Sequence, residues 1–268
     1  MEMIEKNILT VKILEGMERS KGCPLCYLWT ECEELYLKHI LTNEVIMDPA
    51  FREKVIAAGG FCNRHAHMLY RAIHLSDVED GLGYALYMKD IIEKIIEQLC
   101  HLSTNLSNVS RSSKCKVLFH RGKRVLLTLN NMVRHKTRRR QCPVCEHLST
   151  MNQIYLHTLV QMLDDEDFRV EFTSLKWLCL PHFVSAIQIV CISKLKNPVY
   201  VAQALIDTEM KRLQLTEHLL SEFIRKQSWD FRNEPLGQEV NANLFASNLL
   251  FGAEGIHLTN AHENKDRN

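Results

Sequence analysis

Eight residues stand at the spacing of metal ligands. Cys23-Pro24-Leu25-Cys26 is followed by Cys62-Asn63-Arg64-His65, and Cys142-Pro143-Val144-Cys145 is followed by Cys179-Leu180-Pro181-His182. The Cys-Pro-x-Cys pairs lie 119 residues apart and the Cys-x-x-His pairs 117 apart. Each set supplies three thiolates and one imidazole, the donors that zinc takes in closed tetrahedral sites. Two sets in one order, nearly in register, argue against coincidence. The plain reading of buried thiols and surface histidines is kept for Cys32, Cys100, Cys115 and Cys191, which stand outside any such spacing.

The donor set narrows the chemistry. Iron–sulfur clusters are held mostly by cysteine alone, so the histidines favour two zinc ions over a cluster, which stays as the alternative cofactor. A thioredoxin-like use of Cys-Pro-x-Cys would need a β-α-β setting that the sequence does not offer. Four filled positions leave no place for water or substrate, which favours a structural role over catalysis. His67 and His147 are near enough in sequence to be supporting groups or alternates, although solvent-facing histidine is the plainer reading.

Composition sets the surroundings. With 268 residues, 46% apolar and 24% charged, the chain has the make-up of a globular protein and is long enough for one large or two ordinary domains. Ten cysteines in so long and apolar a chain need not be staples. The start, Met1-Glu2-Met3-Ile4-Glu5-Lys6, is unlike a signal peptide, and no apolar run is long enough to span a membrane. These features lead to the expectation of a cytoplasmic protein with reduced thiols.

The formal charge of +1 hides an uneven distribution. Between Glu97 and Glu146 there is no carboxylate but eleven of the 33 basic residues, leaving 22 against 32 acidic residues elsewhere. Arg134, Lys136, Arg138, Arg139 and Arg140 crowd just before Cys142. A solvated linker is the plain reading of 111–140. An anion-binding patch, for nucleic acid or another polyanion, is the functional one, through phosphate contact because Phe119 is the only aromatic residue there.

The elements that must position the ligands read as helices. Leu82, Leu86, Ile91, Ile95 and Leu99 recur at helical spacing, as do Val201, Leu205, Leu213, Leu220 and Phe223, and no series of alternating strands appears. Each Cys-Pro-x-Cys sits where proline suits the first helical turn, and each Cys-x-x-His puts two ligands on one helix face. Asp48-Pro49-Ala50-Phe51-Arg52 matches Asp165-Glu166-Asp167-Phe168-Arg169 at the same 117-residue offset, and each Asp reads as a helix N-cap. Gly59-Gly60 reads as a helix stop with no equivalent in the second half. Lys116–Asn130 could be a hairpin or a helix, and helix from Lys123 is favoured. Arg225, Lys226, Arg232, Glu234 and Glu239 gather near one loop, a site or, more commonly, a salt-bridge cluster, and Glu234-Pro235 reads as a helix start.

The expectation is thus an all-α, internally duplicated protein. Residues 1–103 form a first Cys₃His half, 104–115 a linker, 116–228 a second half, and 229–268 an extension with one helix and a frayed end. Each half is expected to close its own site at helix N-termini, Cys23, Cys26, Cys62 and His65 in one and Cys142, Cys145, Cys179 and His182 in the other. Because the outward helix is about twice as long as the return helix, that closure requires an oblique crossing or a kink.

The doubled motifs, the Asp-x-x-Phe-Arg turns and the tail Glu222-Phe223-Ile224-Arg225-Lys226…Glu234-Pro235-Leu236-Gly237-Gln238-Glu239 resemble a family of prokaryotic proteins known only as a domain of unknown function. The resemblance runs from about Glu15 to Gly255. It implies an all-helical fold with two cysteine-rich parts and matches the eight ligands, but brings no activity. In that family an aromatic residue often follows the tail's second Glu, where this chain has Val240-Asn241-Ala242-Asn243. The function expected is that of a zinc-binding interaction or regulatory module, preferred to an enzyme without excluding one, whose partner is another protein. A thiol-redox or iron–sulfur protein is the alternative, and an enzyme with a site between the halves a second one.

Overall fold

The structure is a computed structural model that describes residues 7–75, 81–110, 127, 142–231 and 233–255, without the side chains of 74, 75, 102 and 105–110. The basic residues Arg134, Lys136, Arg138, Arg139 and Arg140, the stretch 116–130 apart from Leu127, and Arg232 lie outside the described residues. Among those described, every regular element is helical. In order they are α1 (Ile8–Arg19), α2 (Pro24–His39), α3 (Asn43–Ile46), α4 (Pro49–Ala57), α5 (Asn63–Leu75) and α6 (Leu82–Ser110). Then come α7 (Pro143–Met162), α8 (Glu166–Leu175), α9 (Leu180–Ile192), α10 (Pro198–Lys226), a 3₁₀ turn (Gln238–Asn241) and α11 (Ala242–Phe251).

Helix starts follow the local chemistry. Asn7 and Thr10 form a reciprocal capping box at α1. Asp48 accepts from the Ala50 N–H at the start of α4, and Asp165 accepts from the Phe168 N–H at the start of α8. The carbonyls of Cys23, Cys62, Cys142 and Cys179 each accept the first helical hydrogen bond of α2, α5, α7 and α9. The first cysteine of every motif is therefore the residue from which a helix departs. At Gly59 and Gly60, φ values of 72° and 101° end α4, a conformation that a side chain would strain.

The chain divides into two compact units, 1–32 with 149–268 and 33–148. The boundaries differ from the expected halves, because the divisions fall inside α2 and inside α7. The segment expected as a linker begins as helix, since α6 runs to Ser110, and 111–115 lie outside the described residues.

In the first unit α10 is the spine, with α8, α9, α11 and the 3₁₀ turn packed along it. Leu205, Val201, Phe172, Ala186 and Leu249 are buried there. Gly16 on α1 lets Leu28 of α2 approach, since a Cβ would meet its Cγ at 3.0 Å. Glu234-Pro235 does not start a helix; the first helical turn comes at Gln238. The reason is that its polar groups are taken by α10: Glu234 pairs with Arg225 and the Pro235 carbonyl accepts from Lys226. Lys226 also holds Glu239, which caps the Gly237 N–H, so the charged tail residues described make a salt-bridge cluster.

In the second unit Ile46, Val55 and Tyr87 form a core flanked by Phe51, Phe61, Leu86, Met88 and Ile91. The Tyr87 ring meets Phe51 and Phe61 edge-on, at 6.0 and 5.8 Å, and its hydroxyl donates to the Ile40 carbonyl at 2.7 Å. Arg52 on α4 makes a two-pronged bond to Asp90 on α6, both contacts at 2.7 Å.

Candidate metal centres

The ligand atoms of the eight residues gather into two groups of four, each within 4.8 Å. One group is Cys23, Cys26, Cys179 and His182, from the starts of α2 and α9, all in the first unit. The other is Cys62, His65, Cys142 and Cys145, from the starts of α5 and α7, all in the second. The expected closure of each half on its own motifs is therefore corrected: each Cys-Pro-x-Cys meets the Cys-x-x-His of the other half. Helix length supplies the reason. α2 has 16 residues and spans about 24 Å, whereas α4 has nine and spans about 14 Å, so the return helix is too short to retrace the outward one. The 20 residues of α7 against the ten of α8 repeat the mismatch.

The spacing of the donors fits one ion in each group. A tetrahedral zinc with ordinary bond lengths sets S···S edges of about 3.8 Å and S···N edges of about 3.6 Å. In the first group the Nδ1 of His182 lies 3.4, 3.6 and 3.1 Å from the sulfurs of Cys23, Cys26 and Cys179, and the Cys26 and Cys179 sulfurs are 3.5 Å apart. In the second, the Nδ1 of His65 lies 3.2, 3.4 and 3.3 Å from those of Cys62, Cys142 and Cys145, and the Cys62 and Cys145 sulfurs are 3.8 Å apart.

The outer nitrogen of each imidazole is also committed. His65 Nε2 lies 2.9 Å from Glu33 Oε1, and His182 Nε2 lies 3.0 Å from Asn152 Oδ1. Both partners accept, so Nε2 carries the proton and the Nδ1 lone pair points at the thiols, the tautomer a metal needs. Glu33 is only 2% exposed and is neutralised by a two-pronged bond from Arg64 at 3.1 and 2.6 Å. Burial alone would raise its pKa, but His65 and Arg64 hold it below the usual carboxylate range.

Without a cation, protons must carry the charge of these groups. Cys142 and Cys145 drive the Cys62 thiol far down, while Cys142 and Cys62 drive Cys145 far up. Burial opposes a charged ring at His65, yet Cys142, Cys62 and Glu33 push its pKa up to about 11. In the first unit burial would raise Cys23, but Cys179, Cys26 and His182 bring it well down, while Cys23 and Cys26 push Cys179 far up. Thiols crowded this closely compete for one negative charge, which a divalent ion relieves.

The surroundings close around the first group. A Cβ at Gly22 would lie 3.1 Å from the Trp177 ring, so glycine lets that indole cover the loop before Cys23. Trp177 is in turn stacked by Arg212 at 4.6 Å. The Ala253 backbone N–H bonds to Cys26, aimed there by Gly252 at φ 82°. Glu209 on α10 is 3% exposed, and one of its oxygens has no hydrogen-bond partner. Burial, then the charge on Cys23, raises its pKa to about 7.

Sequence reasoning missed Glu33, Arg64 and Asn152. The signal for two of them is positional, since Glu33 and Asn152 each lie ten residues beyond the first cysteine of a Cys-Pro-x-Cys pair. The suggested supporting histidines play no such part: His67 is exposed, and His147 stacks on Tyr36 at 3.7 Å. Cys32 is half-buried and Cys100 and Cys191 are exposed, outside both groups; Cys115 lies outside the described residues. No helix among the described residues is long and apolar enough to cross a membrane.

No curated protein and no solved structure matches the chain. A family model does, over residues 3–245, and its description is a family of unknown function, DUF6062. The chain accordingly belongs to the DUF6062 family.

Proposed function

We propose that this is a zinc protein whose two Cys₃His sites are structural, and that it serves as an interaction or regulatory module for another protein. One observation carries the metal reading: three sulfurs and one Nδ1 converge at tetrahedral spacing, twice, with each Nε2 proton engaged by a buried acceptor. Zinc suits that mixed donor set and takes four ligands in a closed site. Each ion ties two helix starts together, where free backbone N–H groups and the helix dipole favour thiolates. Such a tie contributes on the order of 10 kcal/mol to folding.

The order of the motifs supports an internal duplication whose two copies exchange their Cys-x-x-His segments. Thiolate ligation is best served by a reducing compartment, which supports a cytoplasmic location. Contact with nucleic acid or another polyanion through 111–140 would be a further property, independent of the metal sites.

Elemental analysis and an absorption spectrum of anaerobically purified protein test the metal reading. Two zinc ions per chain and no visible colour are expected. A brown protein with iron and sulfide would overturn it.

A further inference from the structure

Although the two groups share one donor set, they differ in how exposed their cysteines are. Cys23, Cys26 and Cys179 are 6%, 5% and 0% exposed, and His182 is fully buried. In the other group Cys142 and His65 are buried at 2% and 3%, but Cys62 and Cys145 are part-exposed. Those two come from different helices, α5 and α7, and their sulfurs are 3.8 Å apart.

We propose that Cys62 and Cys145 are a site of modification by hydroperoxides, where oxidation forms a disulfide and discharges the metal of the second unit. The inference rests on the metal reading above. One thiolate attacks a peroxide oxygen; an S–O bond forms, the O–O bond breaks, and the departing hydroxide takes a proton to become water. The second thiolate attacks that sulfur; an S–S bond forms, the S–O bond breaks, and a second water leaves. In sum, two thiolates, one hydrogen peroxide and two protons give one disulfide and two waters, with two electrons passing from sulfur to peroxide. The ion is left with Cys142 and His65 alone, half of its ligands, and departs. The disulfide then joins the starts of α5 and α7 where the metal did. In the first group the same reaction is blocked at its first step, because Cys23, Cys26 and Cys179 are all buried.

The zinc-loaded full chain carries the first test. Hydrogen peroxide is added in the presence of a chromophoric chelator, and the disulfides are mapped by mass spectrometry after alkylation. One equivalent of zinc is expected to leave at least about tenfold faster than the other, reflecting site-selective oxidation of accessible thiolates, with a Cys62–Cys145 disulfide formed in step. Release of both equivalents at one rate, release of neither, or release without that disulfide overturns the proposal. Cys100→Ser/Cys191→Ser removes two exposed thiols outside the groups; it should leave the fast phase unchanged, and its loss in that variant would also overturn the proposal. Protein that holds no metal before peroxide is added would instead overturn the metal reading on which the inference depends.

Discussion

Glu33 and Asn152 do the same work from matching positions: each hydrogen-bonds the outer nitrogen of a cluster histidine, Glu33 that of His65 and Asn152 that of His182. They differ in charge. The carboxylate of Glu33 needs Arg64 beside it, whereas the Asn152 amide brings no charge into the interior. Removing either should loosen one ion and leave the other. Glu33→Ala and Asn152→Ala are each expected to weaken one equivalent of metal about 10- to 100-fold. Competition with a chelator of known affinity reads this; a loss spread over both equivalents would contradict it.

The second unit depends on a close approach between α6 and α3. A Cβ at Gly83 would overlap the Ile46 side chain, so Gly83→Ala should cost about 1–3 kcal/mol of stability. Tyr87→Phe, which loses the bond to the Ile40 carbonyl, should cost about 1 kcal/mol. Denaturant unfolding with metal present measures both, and no change in either variant would refute this packing.

Glu239 should support the fold at neutral pH and cease to in acid. Lys226 and the Gly237 N–H hold its pKa down to about 2. A carboxylate depressed on folding stabilises above its ordinary pKa of about 4.5, and that contribution fades as pH falls towards 2. Glu239→Gln is therefore expected to lower the melting temperature at pH 7, with the gap to wild type closing below pH 4.5. A gap independent of pH would assign the effect to packing.

Glu209 has the opposite sign. Burial and the charge on Cys23 raise its pKa to about 7, so its contribution is most favourable below the ordinary carboxylate pKa and is lost as pH rises through 7. Glu209→Gln should stabilise more at pH 8 than at pH 5.5, read as the difference from wild type in thermal melts. A variant destabilised at pH 8 would mean that the charged carboxylate has a favourable partner.

Spacing alone singled out the eight residues that gather in the two groups, and the helix starts, because Cys-Pro-x-Cys and Cys-x-x-His each fix two donors on one helical turn. It could not choose between two chemically identical sets of partners. The unequal lengths of α2 and α4 did bear on that choice, and in sequence they registered only as a difficulty with closing each half. Glu33 was hidden for another reason: on α2 it stands among Glu31 and Glu34, and only the fold distinguishes the one that is buried. Glu234-Pro235 has the local signature of a helix start, but the cations of α10 claim its polar groups.

Each ion the protein takes up is expected to be shared by the Cys-Pro-x-Cys of one half and the Cys-x-x-His of the other. Zinc per chain in two double variants tests it most directly. Cys23 and Cys179 belong to one group, so Cys23→Ser/Cys179→Ser should retain one equivalent; Cys23 and Cys62 belong to different groups, so Cys23→Ser/Cys62→Ser should retain none. The reverse, with one equivalent kept by Cys23→Ser/Cys62→Ser and none by Cys23→Ser/Cys179→Ser, would mean that each half closes on its own motifs.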